Sequence, residues 1–175
     1  MTKLLGISGS LRTGSTNTLL VKEAARLFGD AELMLGDINL PLYNGDVEAS
    51  VGVPQAVETL HGQIQAADAI IIATPEYNGN LPGVLKNAFD WVSRCKPMTW
   101  GGKPTAIMSA AAGRAGGIRG QNSLRFCLTA FQPHIVHGPE IAVAGGDAFD
   151  DAGQLTGEMY LKQLTQLMDN LRAAI

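Results

Sequence analysis

What this 175-residue chain lacks narrows its chemistry before any motif is read. It has only two cysteines, Cys95 and Cys127, far apart and outside any CxxC spacing. That argues against a disulfide framework and against a cysteine-ligated zinc site. His61, His134 and His137 show no ligand spacing with Cys, Asp or Glu, so no metal centre is expected. Nothing spells GxSxG, and no cysteine has an evident paired base, so acyl transfer is unsupported. A net charge of −3 without a block of one sign gives no footing for nucleic acid or an anionic membrane. The longest apolar run, around Ala69–Ala73, is far short of a membrane span. No charged segment followed by an apolar one opens the chain, so no signal peptide is expected. There is no internal repeat and no low-complexity tract. With 46% hydrophobic residues the composition is that of an ordinary folded protein. One domain over 1–175, soluble and cytoplasmic, is the expectation.

Two nucleotide fingerprints are missing as well. There is no GxxxxGK, hence no Walker lysine, and Gly6-Ile7-Ser8-Gly9 does not continue into GxGxxG. What stands in that place is Gly6–Asn17, GISGSLRTGSTN, between an apolar strand and a helix-periodic run through Leu19, Leu20, Val21, Ala24, Ala25 and Phe28. The loop holds the hydroxyls of Ser10, Thr13, Ser15 and Thr16, the amide of Asn17 and the cation Arg12. The first turn of a helix leaves N–H groups unpaired and carries about half a positive charge. Hydroxyls and a guanidinium at that end make a receptor for a phosphate dianion. A plain helix cap at Ser15 or Thr16 accounts for some of the same residues.

Five strand-then-helix units follow one another. The pattern predicts strand 3–8 with helix 16–28, then strand 31–35 and a long loop over Asp37–Pro54. Helix 55–66 leads to strand 69–74, whose β-branched run AIIIAT suits burial on both faces of a parallel sheet. Helix 81–93, strand 104–109 and a glycine-rich loop over Ala110–Gly117 come next. Helix 118–130, a last strand split into 135–136 and 141–144, and an amphipathic helix 157–173 complete the chain. Such alternation means an α/β protein with helices on both faces of a five-stranded parallel sheet, order 2-1-3-4-5. In that order ligands bind beyond the carboxyl ends of strands 1 and 3, where the order reverses. The loops 9–17 and 75–80 meet there, with 110–117 alongside.

The second of those loops, Thr74-Pro75-Glu76-Tyr77-Asn78-Gly79-Asn80-Leu81-Pro82-Gly83, is stiffened by a proline at each end. Gly79 and Gly83 would let backbone approach a flat ligand, and Asn78 both donates and accepts. A ligand-free proline-rich turn fits the same residues. GSLRTGSTN together with PEYNGNLPGVLKNAFDWVSR is similar to the NAD(P)H-dependent FMN reductase family, which includes soluble quinone, chromate and azo-dye reductases. The resemblance runs over essentially the whole chain. It implies a flavodoxin-like three-layer αβα sandwich binding FMN non-covalently, commonly as a homodimer or homotetramer. It further implies that Ser10, Arg12, Ser15, Thr16 and Asn17 hold the FMN phosphate, and that Pro75, Glu76, Tyr77, Asn78 and Gly79 line the ring.

In the third loop Ala110 and Ala111 stand where similar proteins often carry Ser or Thr. Any ring contact there falls to Ser109 or to backbone N–H groups, with Ala110 and Gly113 beside the ring. The implied reaction is a ping-pong hydride transfer from NADPH or NADH to bound FMN, then to a quinone, flavin or other small electron acceptor. The cofactor carries that chemistry, so no side chain is assigned as catalytic. The alternative is a flavodoxin-type electron carrier that does not oxidise nicotinamides, although no acidic block for docking partners is present. A receiver domain would need clustered aspartates after strand 1, where Ser8-Gly9-Ser10 stands. Asp90 and Arg94, spaced i,i+4, read as a surface ion pair or as part of a subunit interface. Arg119 and Arg125 lie on the following helix, free to meet a second subunit or a dinucleotide phosphate.

Overall fold

In a computed structural model describing residues 1–145 and 147–175, the chain forms one parallel sheet between two helical layers. The strands are β1 (Thr2–Ser8), β2 (Ala31–Gly36), β3 (Ala69–Ala73), β4 (Pro104–Ala111), β5 (His134–Ile135) and β6 (Ala142–Ala144). Their order is β2-β1-β3-β4-β5, with β6 also paired to β4. The helices are α1 (Thr16–Phe28), α2 (Gly45–Val51), α3 (Gln55–Ala66), α4 (Gly83–Val92), α5 (Ile118–Leu128) and α6 (Glu158–Ala173).

The period of two along the central strands divides the core. Leu4, Ala69, Ile71, Ala73, Ala106 and Met108 face α1 and α6, meeting Leu20, Val21, Ala24, Leu164 and Met168. Leu5, Ile7, Ile70, Ile72 and Ile107 face the other way, against Leu60 and Ile64 of α3, Leu85 and Phe89 of α4 and Leu124 of α5. Both faces of β3 are thereby buried, which is why its sequence is continuously apolar rather than alternating. Helix α1 lies close on β1 because Gly6 has no side chain there; a Cβ would run into Val21.

The fifth strand is in two pieces, as the Gly138-Pro139 break suggests. Val136 donates to the Thr105 carbonyl at 3.0 Å before the break, and Ser109 donates to the Ile141 carbonyl at 2.9 Å after it. Proline has no N–H to offer a ladder, so the chain leaves the sheet between them.

Three expectations need correction. The stretch 37–54 is not all loop: α2 lies within it, started by the Asn44 side chain accepting from Asp46 N–H at 2.9 Å. Strand β4 runs two residues past Ser109, because Ala110 and Ala111 pair with Val143 and Ala144. Asp90 does not pair with Arg94. It bonds Lys86 one turn earlier at 2.6 Å, while Arg94 lies over the Tyr43 ring and 3.9 Å from Glu48.

Candidate functional site

Three loops meet beyond the carboxyl ends of β1, β3 and β4. The first leaves β1 through Gly9, whose N–H bonds the Ala73 carbonyl at 2.8 Å, and turns into α1. Ser15 is the N-cap, its side chain accepting from Thr18 N–H at 3.3 Å. Its hydroxyl also lies 3.4 Å from that of Ser8, which in turn accepts from the Thr18 hydroxyl at 2.9 Å. The plain reading of Ser15 as a helix cap therefore holds, and the cap ties the loop to the first turn of α1. The Ser8–Thr18 link was not foreseen, since neither residue stands out in sequence. Ser10 accepts from Arg12 N–H at 3.3 Å, and the exposed Arg12 side chain forms no ion pair among the described residues.

Asn17 does something else first. It is 2% exposed, and its amide donates to the Ala110 carbonyl at 2.8 Å while accepting from Ala110 N–H at 2.9 Å. The last ladder bond between β3 and β4 is the one from Thr74 N–H to the Met108 carbonyl, after which Pro75 leads the chain away. The Asn17 carboxamide takes the place of the missing β3 backbone. It fixes the start of α1 to the end of β4.

The second loop is a tight turn. Tyr77 and Asn80 exchange backbone hydrogen bonds of 3.0 and 3.1 Å, with Asn78 at φ 52° and Gly79 at φ 76° between them. Asn-Gly is the pair that tolerates two successive positive φ values, so the turn by itself accounts for Gly79. Asn78 and Gly79 do not line the cleft described below, whereas Pro75, Glu76 and Tyr77 do. The Glu76 carboxylate accepts from the backbone N–H of Arg119 at 3.1 Å and from its guanidinium at 3.3 Å.

In the third loop Ser109 is fully buried behind the cleft floor. Its hydroxyl donates to the Gly116 carbonyl at 2.6 Å and accepts from Gln121 at 2.8 Å, so it does not reach the cleft. Ala110 and Gly113 do line it, with Ala111, Ala112 and Gly145. Gly116 has φ 58°, and a Cβ there would overlap the Ala142 carbonyl. The missing side chain lets the loop fold against β6.

The result is a cleft of about 500 Å³, within the range of small-ligand sites. Ser10, Arg12, Gly14, Ser15, Thr16 and Asn17 form one end of it, and Pro75, Glu76, Tyr77 and residues 110–113 form its walls. Arg12 and Glu76 are its only charged residues among the described ones, and Glu76 is engaged by Arg119. One end carries a guanidinium and the start of a helix, and the walls are backbone and mostly small or apolar side chains. Neither cysteine lies in it, and burial pushes both thiols up from their ordinary pKa, away from thiolate chemistry.

Residues 2–148 match the model of the NADPH-dependent FMN reductase family. The chain belongs to that family. It is 44% identical over 173 residues to the NAD(P)H-dependent FMN reductase of Pseudomonas aeruginosa, covering 97% of this chain and 93% of that one. It is 35% identical to the quinone reductase of Escherichia coli K12, covering 90% of this chain and 84% of that protein. Among solved structures, the flavoenzyme NAD(P)H:(acceptor) oxidoreductase FerB of Paracoccus denitrificans superposes with a TM-score of 0.87 at 32% identity. That match covers 98% of this chain and 95% of FerB. The protein is thus an oxidoreductase with a flavodoxin-like fold, of a family that works with FMN and NAD(P)H.

The residues present suit FMN. The end at Arg12 and the first turn of α1 offers a charge and unpaired N–H groups to a phosphate. The floor at Ala110–Gly113 has no long side chain that would bar a ring.

Proposed function

We propose that residues 1–175 act as one FMN-binding domain that passes hydride from NAD(P)H to small planar electrophiles, quinones and free flavins foremost. FMN supplies the hydride acceptor and donor when bound. The observation that carries this reading is the cleft itself: anion-receptive at one end, flat along its walls, and flanked by the half-exposed Tyr77. Arg12, the first-turn N–H groups of α1 and the Thr16 hydroxyl hold the phosphate. Ser10 and Ser15 shape that loop, and Asn17 anchors it to β4. Pro75, Glu76, Tyr77 and the backbone of Ala110 to Gly113 would hold and orient the ring. Backbone N–H groups of that loop would stabilise negative charge on a bound ring. No residue is required to carry a proton, and none is assigned that task.

Anaerobic addition of NADPH or NADH to the purified yellow protein should bleach its flavin absorbance within the mixing time, and added quinone should restore it. A flavin bleached by dithionite but by neither nicotinamide would assign the protein to electron carriage instead. A colourless protein that takes up no FMN would overturn the reading of the cleft.

The protein works in the cytoplasm, where NAD(P)H is available, and as a homodimer or homotetramer. Light scattering should give a mass two or four times that of the chain; a monomer at micromolar concentration would refute this.

A further inference from the structure

The cleft does not end at Glu76. A second groove adjoins it, lined by Glu76, Ala111, Gly113, Arg114, Gly117 and Arg119 among others. Glu76, Ala111 and Gly113 line both hollows, so the two form one continuous depression. None of the first-loop residues lines this groove. Its cations and Arg12 therefore line different parts of the depression.

The charges of the groove are unequal in what they leave free. Arg119 is neutralised by Glu76 at 3.3 Å. Arg114 is exposed and forms no ion pair or side-chain hydrogen bond among the described residues. Glu76 is the only carboxylate of the groove among the described residues, and Arg119 occupies it. Sites that favour NADH present a free carboxylate to the ribose 2′-hydroxyl, whereas an arginine accommodates the 2′-phosphate of NADPH. This groove offers the second arrangement.

On the reading of the cleft given above, we infer that the groove takes the adenosine end of the reductant and that Arg114 binds its 2′-phosphate, making the enzyme selective for NADPH over NADH. The end at Arg12 is committed to the FMN phosphate. A dinucleotide whose nicotinamide lies over the ring then extends through the other outlet, past Gly113. A phosphomonoester there meets an unpaired guanidinium able to bond it bidentately.

The test compares kcat/KM for NADPH and NADH in the wild-type holoenzyme and in Arg114→Ala, with Arg114→Lys between them. Because the Arg114 side chain makes no internal contact of this kind, unchanged melting curves should show that the variants fold. The wild type should prefer NADPH. In Arg114→Ala the preference should fall about 10-fold, as expected for the loss of a charge-assisted bond at an exposed site. Calorimetric titration of the holoprotein with adenosine 2′,5′-bisphosphate should show binding that weakens about 10-fold in Arg114→Ala. Titration with 5′-AMP should not distinguish the two proteins. Equal use of the two nicotinamides by the wild type, or a ratio unmoved by Arg114→Ala, would overturn the inference. Should neither nicotinamide reduce the flavin, the reductase reading falls. The bisphosphate titration then still decides the groove, since no binding, or equal binding by both proteins, would overturn it.

Discussion

Replacing Asn17 with alanine should destabilise the protein even with no flavin bound. The carboxamide satisfies the N–H and the C=O of Ala110, a residue 2% exposed. Removing it leaves two buried backbone groups without partners, each costing about 1–3 kcal/mol. A loss of roughly 2–6 kcal/mol is expected, hence a Tm lower by about 10 °C for a chain of this size. Asn17→Asp should fare no better, because a carboxylate accepts from Ala110 N–H but sets a negative charge against the Ala110 carbonyl. The measurement is a thermal melt of flavin-stripped protein. If Asn17 served the phosphate alone, the stripped variant would melt with the wild type and only its FMN affinity would suffer. A shift in the stripped protein separates the strap from the ligand contact.

Asn17 also shows where sequence reasoning stops. Its place in the loop was evident, but its partner lies 93 positions away at the end of β4. Nothing local signals that β3 will leave the sheet one rung early and need a substitute. Ser109 is the converse: a hydroxyl at the end of a strand beside a glycine-rich loop looks available, yet Gly116 and Gln121 enclose it. The Glu76–Arg119 pair joins two loops 43 positions apart and is equally invisible in the chain order.

Helix α1 was legible to its ends, because the Ser15 cap, the apolar period and Gly29 after Phe28 all agree. Strand β3 announced itself by composition. Helix α2 did not, because none of its residues is buried and no apolar period can form. Its signals were of another kind: Asn44 as cap, Asp46 and Glu48 in the first turn, and Gly52 after the last residue. Elements that bury a face write it into the sequence. Elements held by their caps write only the caps.

The second large effect is expected at Arg12. Arg12→Ala should raise the Kd for FMN about 10- to 100-fold, the range for losing a charged donor to a phosphate dianion. Its exposed position moderates the effect through salt, so the wild type should lose FMN affinity as ionic strength rises, and the variant less so. Arg12→Lys should fall between, keeping the charge but not the planar fork. Stripped Arg12→Ala should melt with the wild type, since the side chain has no ion pair among the described residues to lose. Riboflavin supplies the control, having the ring but no phosphate. Its affinity should be the same in both proteins if Arg12 acts only on the phosphate. An equal loss for riboflavin and FMN would mean that Arg12 shapes the ring site instead. No loss for either would move the phosphate away from the first turn of α1, and with it the direction in which the reductant lies across the cleft.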